Sequence, residues 1–237
     1  CDTVKNIRRD AAVSLPCLNP LYRDTFDIVR LGNISEVNHE LYIRRAHTAS
    51  WLLRDKPIDT DDWAAFGKAL GAITFCKVVC GMPDIFSAWY RGDGRFKVQG
   101  ARGGNPVALT SRQYAILAAA FTLYERSKHI PRTELHIDFD RLEFATQKAA
   151  DGSRLCTHAG GTILALYQPE RVTFISLHTT TACIPLPSDF PPGTVEYTHD
   201  GESVSVPFSR CPDNGIVVAV HACTDSLFVY TITKGNQ

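Results

Sequence analysis

The chain has 237 residues, 44% of them hydrophobic and 21% charged, and its 25 Lys and Arg balance 25 Asp and Glu. Such a composition excludes a disordered or fibrous protein, and the length suffices to bury a core as one large domain or two modest ones without disulfide staples. Zero net charge excludes a protein that coats nucleic acid by bulk charge alone.

The charge is nevertheless uneven: residues 1–112 hold 16 Lys and Arg against 12 Asp and Glu, and residues 113–237 hold 9 against 13. A polyanion surface is therefore expected in the first half, and the opposite signs of the halves suit contact between copies. The 8 cysteines are irregularly spaced and include no C-x-x-C pair, a pattern expected of reduced thiols in an intracellular chain. The sequon Asn33-Ile34-Ser35 points weakly the other way. Lys68 and Lys77 interrupt the longest apolar run, so no membrane span is expected. The first residue, Cys1, reads as a trimmed or processed terminus from which no targeting can be inferred.

Residues 1–32 read as an extended leading segment. Pro16 and Pro20 break a long helix there, and residues 26–31 alternate as a short strand does. Arg8, Arg9, Arg23 and Arg30 along it suit a solvated terminus or a basic arm on RNA or a neighbouring subunit. Asn33 and Glu36 have capping-box spacing, which predicts a helix to about Arg54 with Tyr42, Ile43, Ala46, Ala49 and Leu53 on one face and Arg44 on the other. Thr60, Asp61 and Asp62 open a second predicted helix, apolar on nearly every side from Trp63 to Cys80 and stopped by Gly81 and Pro83.

Residues 91–106 form a basic, glycine-rich loop in which Arg91, Arg95, Lys97 and Arg102 are the candidate ligands for phosphate or carboxylate oxygens, with Arg44 as a further cation. The loop has neither the Walker A pattern nor the dinucleotide fingerprint, and the alternative is an ordinary hairpin between helices. Thr110 and Gln113 repeat the capping spacing before a third helix, predicted to reach about Lys128 with Tyr114, Leu117, Phe121 and Tyr124 as its stripe.

Leu135, Ile137 and Phe139 then alternate with polar residues as a half-buried strand does, and Asp140 with Glu143 predicts a short helix ending at Gly152. From Thr162 onwards β-branched and aromatic residues dominate. Asp200-Gly201 predicts a hairpin of residues 194–199 and 202–208, with Tyr197 opposite Val204, Val195 opposite Val206, a buried shared face and Pro207 at an edge or strand end. Residues 215–222 and 227–233 read as a second hairpin.

Few clusters could carry chemistry. His178 with Cys183, and His221 with Cys223, are the candidate thiol or metal pairs, but each lacks the third group that catalysis needs. His136, Asp138 and Asp140 alternate as a cation cluster would, although the polar face of an edge strand explains them as well. Cys156-Thr157-His158-Ala159-Gly160-Gly161 has no Gly-x-Ser-x-Gly partner that would make it an oxyanion loop, and Cys1 is poorly placed for an N-terminal nucleophile.

The sequence thus predicts an α+β protein, with a helix-rich part over 1–160 followed by an antiparallel β-rich part over 161–237, the two separate or composite. The expected function is non-enzymatic: an assembly subunit of virus-type coat or nucleic-acid-associated kind, self-associating and using its arginines on RNA, with no cofactor or metal. The alternative is a cysteine- or metal-dependent hydrolase built on the Cys and His residues of the β-rich part. Four disulfides would instead mark an extracellular binding module.

Overall fold

The computed structural model describes residues 2–15, 19–30, 45, 48–49, 51–53, 56, 58–59, 75, 78–79, 88–90, 96–98, 111–132, 134–138, 140–141, 143–199, 201–212, 214–221 and 228–235. Helix α1 (Asp2–Ile7) precedes strand β1 (Ser14–Leu15), a 3-10 helix (Pro20–Thr25), and strands β2 (Ile28–Arg30) and β3 (Ile58–Asp59), which pair in parallel in the order β1-β2-β3. This leading segment is pinned: the Asp27 carboxylate accepts from the Val13 N–H at 2.8 Å and meets Lys5 Nζ at 2.6 Å. Arg8 lies against Asp10 at 3.0 Å, while Arg9 and Arg23 are exposed.

Strands β4 (Ala88–Tyr90) and β5 (Phe96–Val98) form an antiparallel ladder, and helix α2 (Ser111–Arg126) follows. The rest of the chain is sheet. It runs through β6 (His136–Asp138), β7 (Glu143–Ala145), β8 (Arg154–His158), β9 (Ile163–Gln168), β10 (Arg171–Ser176), β11 (Thr180–Pro185), β12 (Pro192–His199), β13 (Glu202–Ser205), β14 (Phe208–Cys211), β15 (Gly215–Val220) and β16 (Val229–Lys234). Eight of these strands make one antiparallel sheet in the order β13-β12-β16-β10-β9-β8-β7-β6, and three make a second in the order β11-β15-β14.

The large sheet is buried on both faces at its centre, which is why β9 reads as a continuous apolar run rather than an alternation. Leu164 and Leu166 point to one side, into a core with Leu155, Ile175 and Phe144 and with Ile116, Ala119, Ala120 and Leu123 of α2. Phe26, Val29, Ala49, Leu53, Phe75, Val78 and Val79 join that layer, as do Ile130, Ile137 and Leu177. Ile163 and Ala165 point to the other side, where Val172, Phe174, Tyr230 and Ile232 meet Ala182, Ile184, Ile216 and Val218 of the small sheet. Phe174 and Tyr230 stack there at 5.0 Å between centroids, an arrangement worth about 0.5–1.5 kcal/mol beyond burial.

The expectation of a helix-rich amino-terminal part is overturned. The described residues are mostly β-sheet, and before residue 161 they comprise eight strands, α1, α2, the 3-10 helix and helical residues at 45, 48–49, 51–52, 75 and 78–79. The sheet begins at His136, and β8 and β9, on either side of residue 160, pair along their length. The helix predicted after Asp140 is absent: the Asp138 carboxylate accepts from the N–H groups of Asp140 and Arg141, turning the chain from β6 into β7. Most of the helices predicted over 33–54 and 60–80 lie outside the described residues.

Helix α2 sends Ile116, Ala119, Ala120 and Leu123 into the core with Leu164 and Leu166, with Tyr124 partly buried against it, and Phe121 of the predicted stripe is also buried. The second predicted hairpin does not form, because β15 joins the small sheet and β16 the large one. The β12–β13 hairpin has the predicted register, Tyr197 opposite Val204, with Gly201 at φ 83° and β13 at the sheet edge ahead of Pro207. Its shared face is not wholly buried, since Val195 is 1% exposed but Val204 is 40% exposed.

Candidate functional site

The face of the large sheet that carries the second core turns polar along β6 to β9. There a cleft of about 510 Å³ opens between β8, β9 and the chain leaving β11. A two-residue period puts Arg154, Cys156 and His158 on one face of β8, and the pairing of Cys156 with Ala145 and Ala165 sets the rows beside them. His136, Asp138 and Glu143 line a smaller adjoining hollow of about 160 Å³ with the same three β8 residues.

A carboxylate, an imidazole and a phenol run in series along this wall. The phenol of Tyr167 donates to the Pro185 carbonyl at 2.9 Å, so the 2.7 Å contact with His158 Nε2 has the imidazole donating. His158 Nδ1 lies 3.7 Å from Glu143 Oε2. The other Glu143 oxygen accepts from the Ala159 N–H at 2.9 Å and so holds the β8–β9 turn, where Ala159, Gly160 and Gly161 all have positive φ. Cys156-Thr157-His158-Ala159-Gly160-Gly161 is thus the end of a strand and its turn. The series links the large sheet to the end of β11.

Burial decides what this wall can do chemically. It pushes the Cys156 thiol up to about 12, Glu143 adding to the rise and Arg154 opposing it. Burial likewise raises Tyr167 well above an ordinary phenol, reinforced by Cys156 and Glu143. Both groups therefore keep their protons at neutral pH, and His158 directs Nε2 at the phenol rather than the thiol.

The cleft's rim is cationic. Lys148, Arg154 and Lys234 line it with Asp151 and Asp189. The Asp151 carboxylate is already engaged by the Ser153 N–H and hydroxyl, each at 2.9 Å, and by His129 at 3.2 Å. The Ser153 hydrogen bonds hold its carboxyl below the usual range, with His129 assisting. Arg154 is fixed by donating Nε to the Thr146 carbonyl at 3.0 Å.

Of the residues singled out from sequence, Arg44, Arg91, Arg95 and Arg102 lie outside the described residues, and Lys97 sits on β5 opposite Trp89. His136 and Asp138 do share a hollow, whereas Asp140 contributes its N–H to the turn. His178 is exposed in the turn after β10, and Cys183 lies against Cys211 at 3.1 Å. The His221 ring meets Tyr197 at 6.0 Å and Phe228 at 5.3 Å, and Cys223 lies outside the described residues.

Glu143, Lys148, Arg154, Tyr167 and Lys234 were not legible as site residues from sequence. The available signal was the Arg154-x-Cys156-x-His158 alternation, which puts a cation, a thiol and an imidazole on one strand face. Among the described residues no group of three or more His, Cys, Asp or Glu is placed to hold a metal ion, and no helix is long and apolar enough to cross a membrane. No protein-family model matches this chain, and no curated protein does.

Proposed function

We propose that the chain is a non-enzymatic assembly subunit, of coat or nucleic-acid-associated kind, that contacts RNA through cationic surfaces. The observation that carries the reading is the cleft with Lys148, Arg154 and Lys234 around it, one of whose two carboxylates is already spent on its own turn. Guanidinium and ammonium groups around a concave site suit phosphate oxygens. The sequence-derived set Arg44, Arg91, Arg95, Lys97 and Arg102 is the second such surface in this proposal. Self-association is assigned to the exposed sheet edges.

The rival hydrolase finds less support. Of the groups it would use, Cys183 lies 3.1 Å from Cys211, the His221 ring packs on Tyr197 and Phe228, and Cys223 lies outside the described residues.

The test is RNA affinity across a salt series. Affinity should fall linearly on logarithmic axes, by a slope of about 0.7 per phosphate contact for single strands. The double variant Lys148→Glu, Lys234→Glu should weaken binding at least about tenfold and flatten that slope. Absence of binding at low salt would overturn the RNA reading, and a monomer at every concentration would overturn the assembly reading.

A further inference from the structure

We propose that Cys183 and Cys211 form an oxidation site, a dithiol that a hydroperoxide converts to an intrachain disulfide joining the two outer strands of the small sheet. Their sulfurs are 3.1 Å apart, and a bond requires closure to about 2.05 Å. Cys183 is exposed on β11, and Cys211 is half-buried at the end of β14. Cys211 also lines a second cleft, of about 230 Å³, together with Arg210 and Asn214. A small oxidant therefore reaches the pair from solvent.

Strands two apart in a sheet are separated by about 9.5 Å, too far for two cysteine side chains in one row. Here β15 lies between, and it presents Gly215 opposite Cys211 and Pro185. Gly215 carries no side chain in the row of Cys211, and Cys183 sits two residues along on the same face, opposite Val217. The contact spans 28 residues of sequence, so it is a product of the fold and not of local spacing.

The chemistry balances with the hydroperoxide as the sole oxidant. One thiolate attacks the O–O bond to give a sulfenic acid, and the departing hydroxide takes a proton to become water. The second thiol then displaces the sulfenic hydroxyl as water and forms the S–S bond. Two thiols lose two electrons and two protons, and one hydrogen peroxide becomes two waters. The site is independent of any RNA contact.

The experiment treats the chain with stoichiometric hydrogen peroxide, alkylates the remaining thiols and maps the peptides by mass. Cleavage after Arg210 leaves Cys211 and Cys223 on one peptide, so the Cys223→Ser and Cys211→Ser chains are mapped alongside. A dithiothreitol-reversible link from Cys183 in the wild-type and Cys223→Ser chains, lost in Cys211→Ser, is the expected result. Separate alkylation of Cys183 and Cys211 after peroxide would overturn the proposal, as would a link that survives in Cys211→Ser. Should Cys211→Ser not fold, the Cys223→Ser map alone decides, since it retains Cys211 as the partner in question.

Discussion

Tyr167 has one proton to give, and Pro185 takes it, which fixes His158 as a donor on the other side of the same oxygen. Replacing Tyr167 with Phe removes both bonds and leaves a carbonyl and an imidazole N–H facing a hydrocarbon edge. A hydrogen bond contributes about 0.5–1.5 kcal/mol net, so Tyr167→Phe should lower the unfolding free energy by about 1 kcal/mol or more, read as a lowered urea midpoint. An unchanged midpoint would mean that water replaces the phenol oxygen. Cys156 gives a prediction of opposite character, seen only in alkali. Its thiol is pushed by burial from an ordinary 9.0 up to about 12, so the unfolded chain loses this proton before the folded one does. Stability from this group is complete below about 9 and drains away as pH rises towards about 12. Urea unfolding followed across that window should show a steeper decline for the wild type than for Cys156→Ala, Tyr167 contributing in the same direction in both chains. Parallel declines would place the thiol in contact with water.

Strand β15 depends on a residue with no side chain. A Cβ at Gly215 would stand 2.6 Å from the Ile184 carbonyl oxygen and 3.2 Å from Pro185 Cα, and both obstacles are backbone. Gly215→Ala must therefore push β11 away from β15, and overpacking of this kind costs about 1–3 kcal/mol, measurable as a lowered urea midpoint. The same strand shows where local sequence stops informing the fold. Asp200-Gly201 prescribes a tight turn, and the β12–β13 register follows from it residue for residue. Gly215–Val220 and Val229–Lys234 are both rich in β-branched residues and both strand-like, yet nothing local says which layer of a sandwich each joins. That choice is made by partners far along the chain: Thr180–Pro185 for one and Arg171–Ser176 for the other. Strand β7 was hidden for a different reason. Asp140 and Glu143 imitate a helix cap, whereas the Glu143 carboxylate in fact holds the N–H of Ala159. The candidate cleft was illegible for both reasons at once, because its cations come from β8, β16 and the segment after β7 and share no motif.

Across the whole molecule, the charge balance of the two halves is a poor guide to where an anion would sit. The cationic rim of the cleft comes from the carboxyl-terminal half, which carries more acidic than basic residues, because the fold gathers Lys148, Arg154 and Lys234 and diverts Asp151 into its turn. Assembly rests on a second global property, the open edges of the sandwich. The large sheet ends in β13, all four of whose residues are exposed, with Val204 the one large apolar side chain among them. An edge strand with free backbone groups and few charges is a template for another strand. A second copy pairing antiparallel on β13 would extend the eight-stranded sheet across a two-fold axis and bring the two Val204 side chains close. Lysine at this position would set like charges against each other there, a destabilising cross-strand arrangement. Val204→Lys should therefore weaken self-association by about tenfold or more while leaving the thermal melt of the monomer unchanged, since the side chain is already 40% exposed. Sedimentation across a dilution series reads the difference: wild-type mass should rise with concentration over a range in which the variant stays monomeric. Coincident curves for the two chains would remove β13 as the contact and leave the edges at β6, β11 and β14 to carry it.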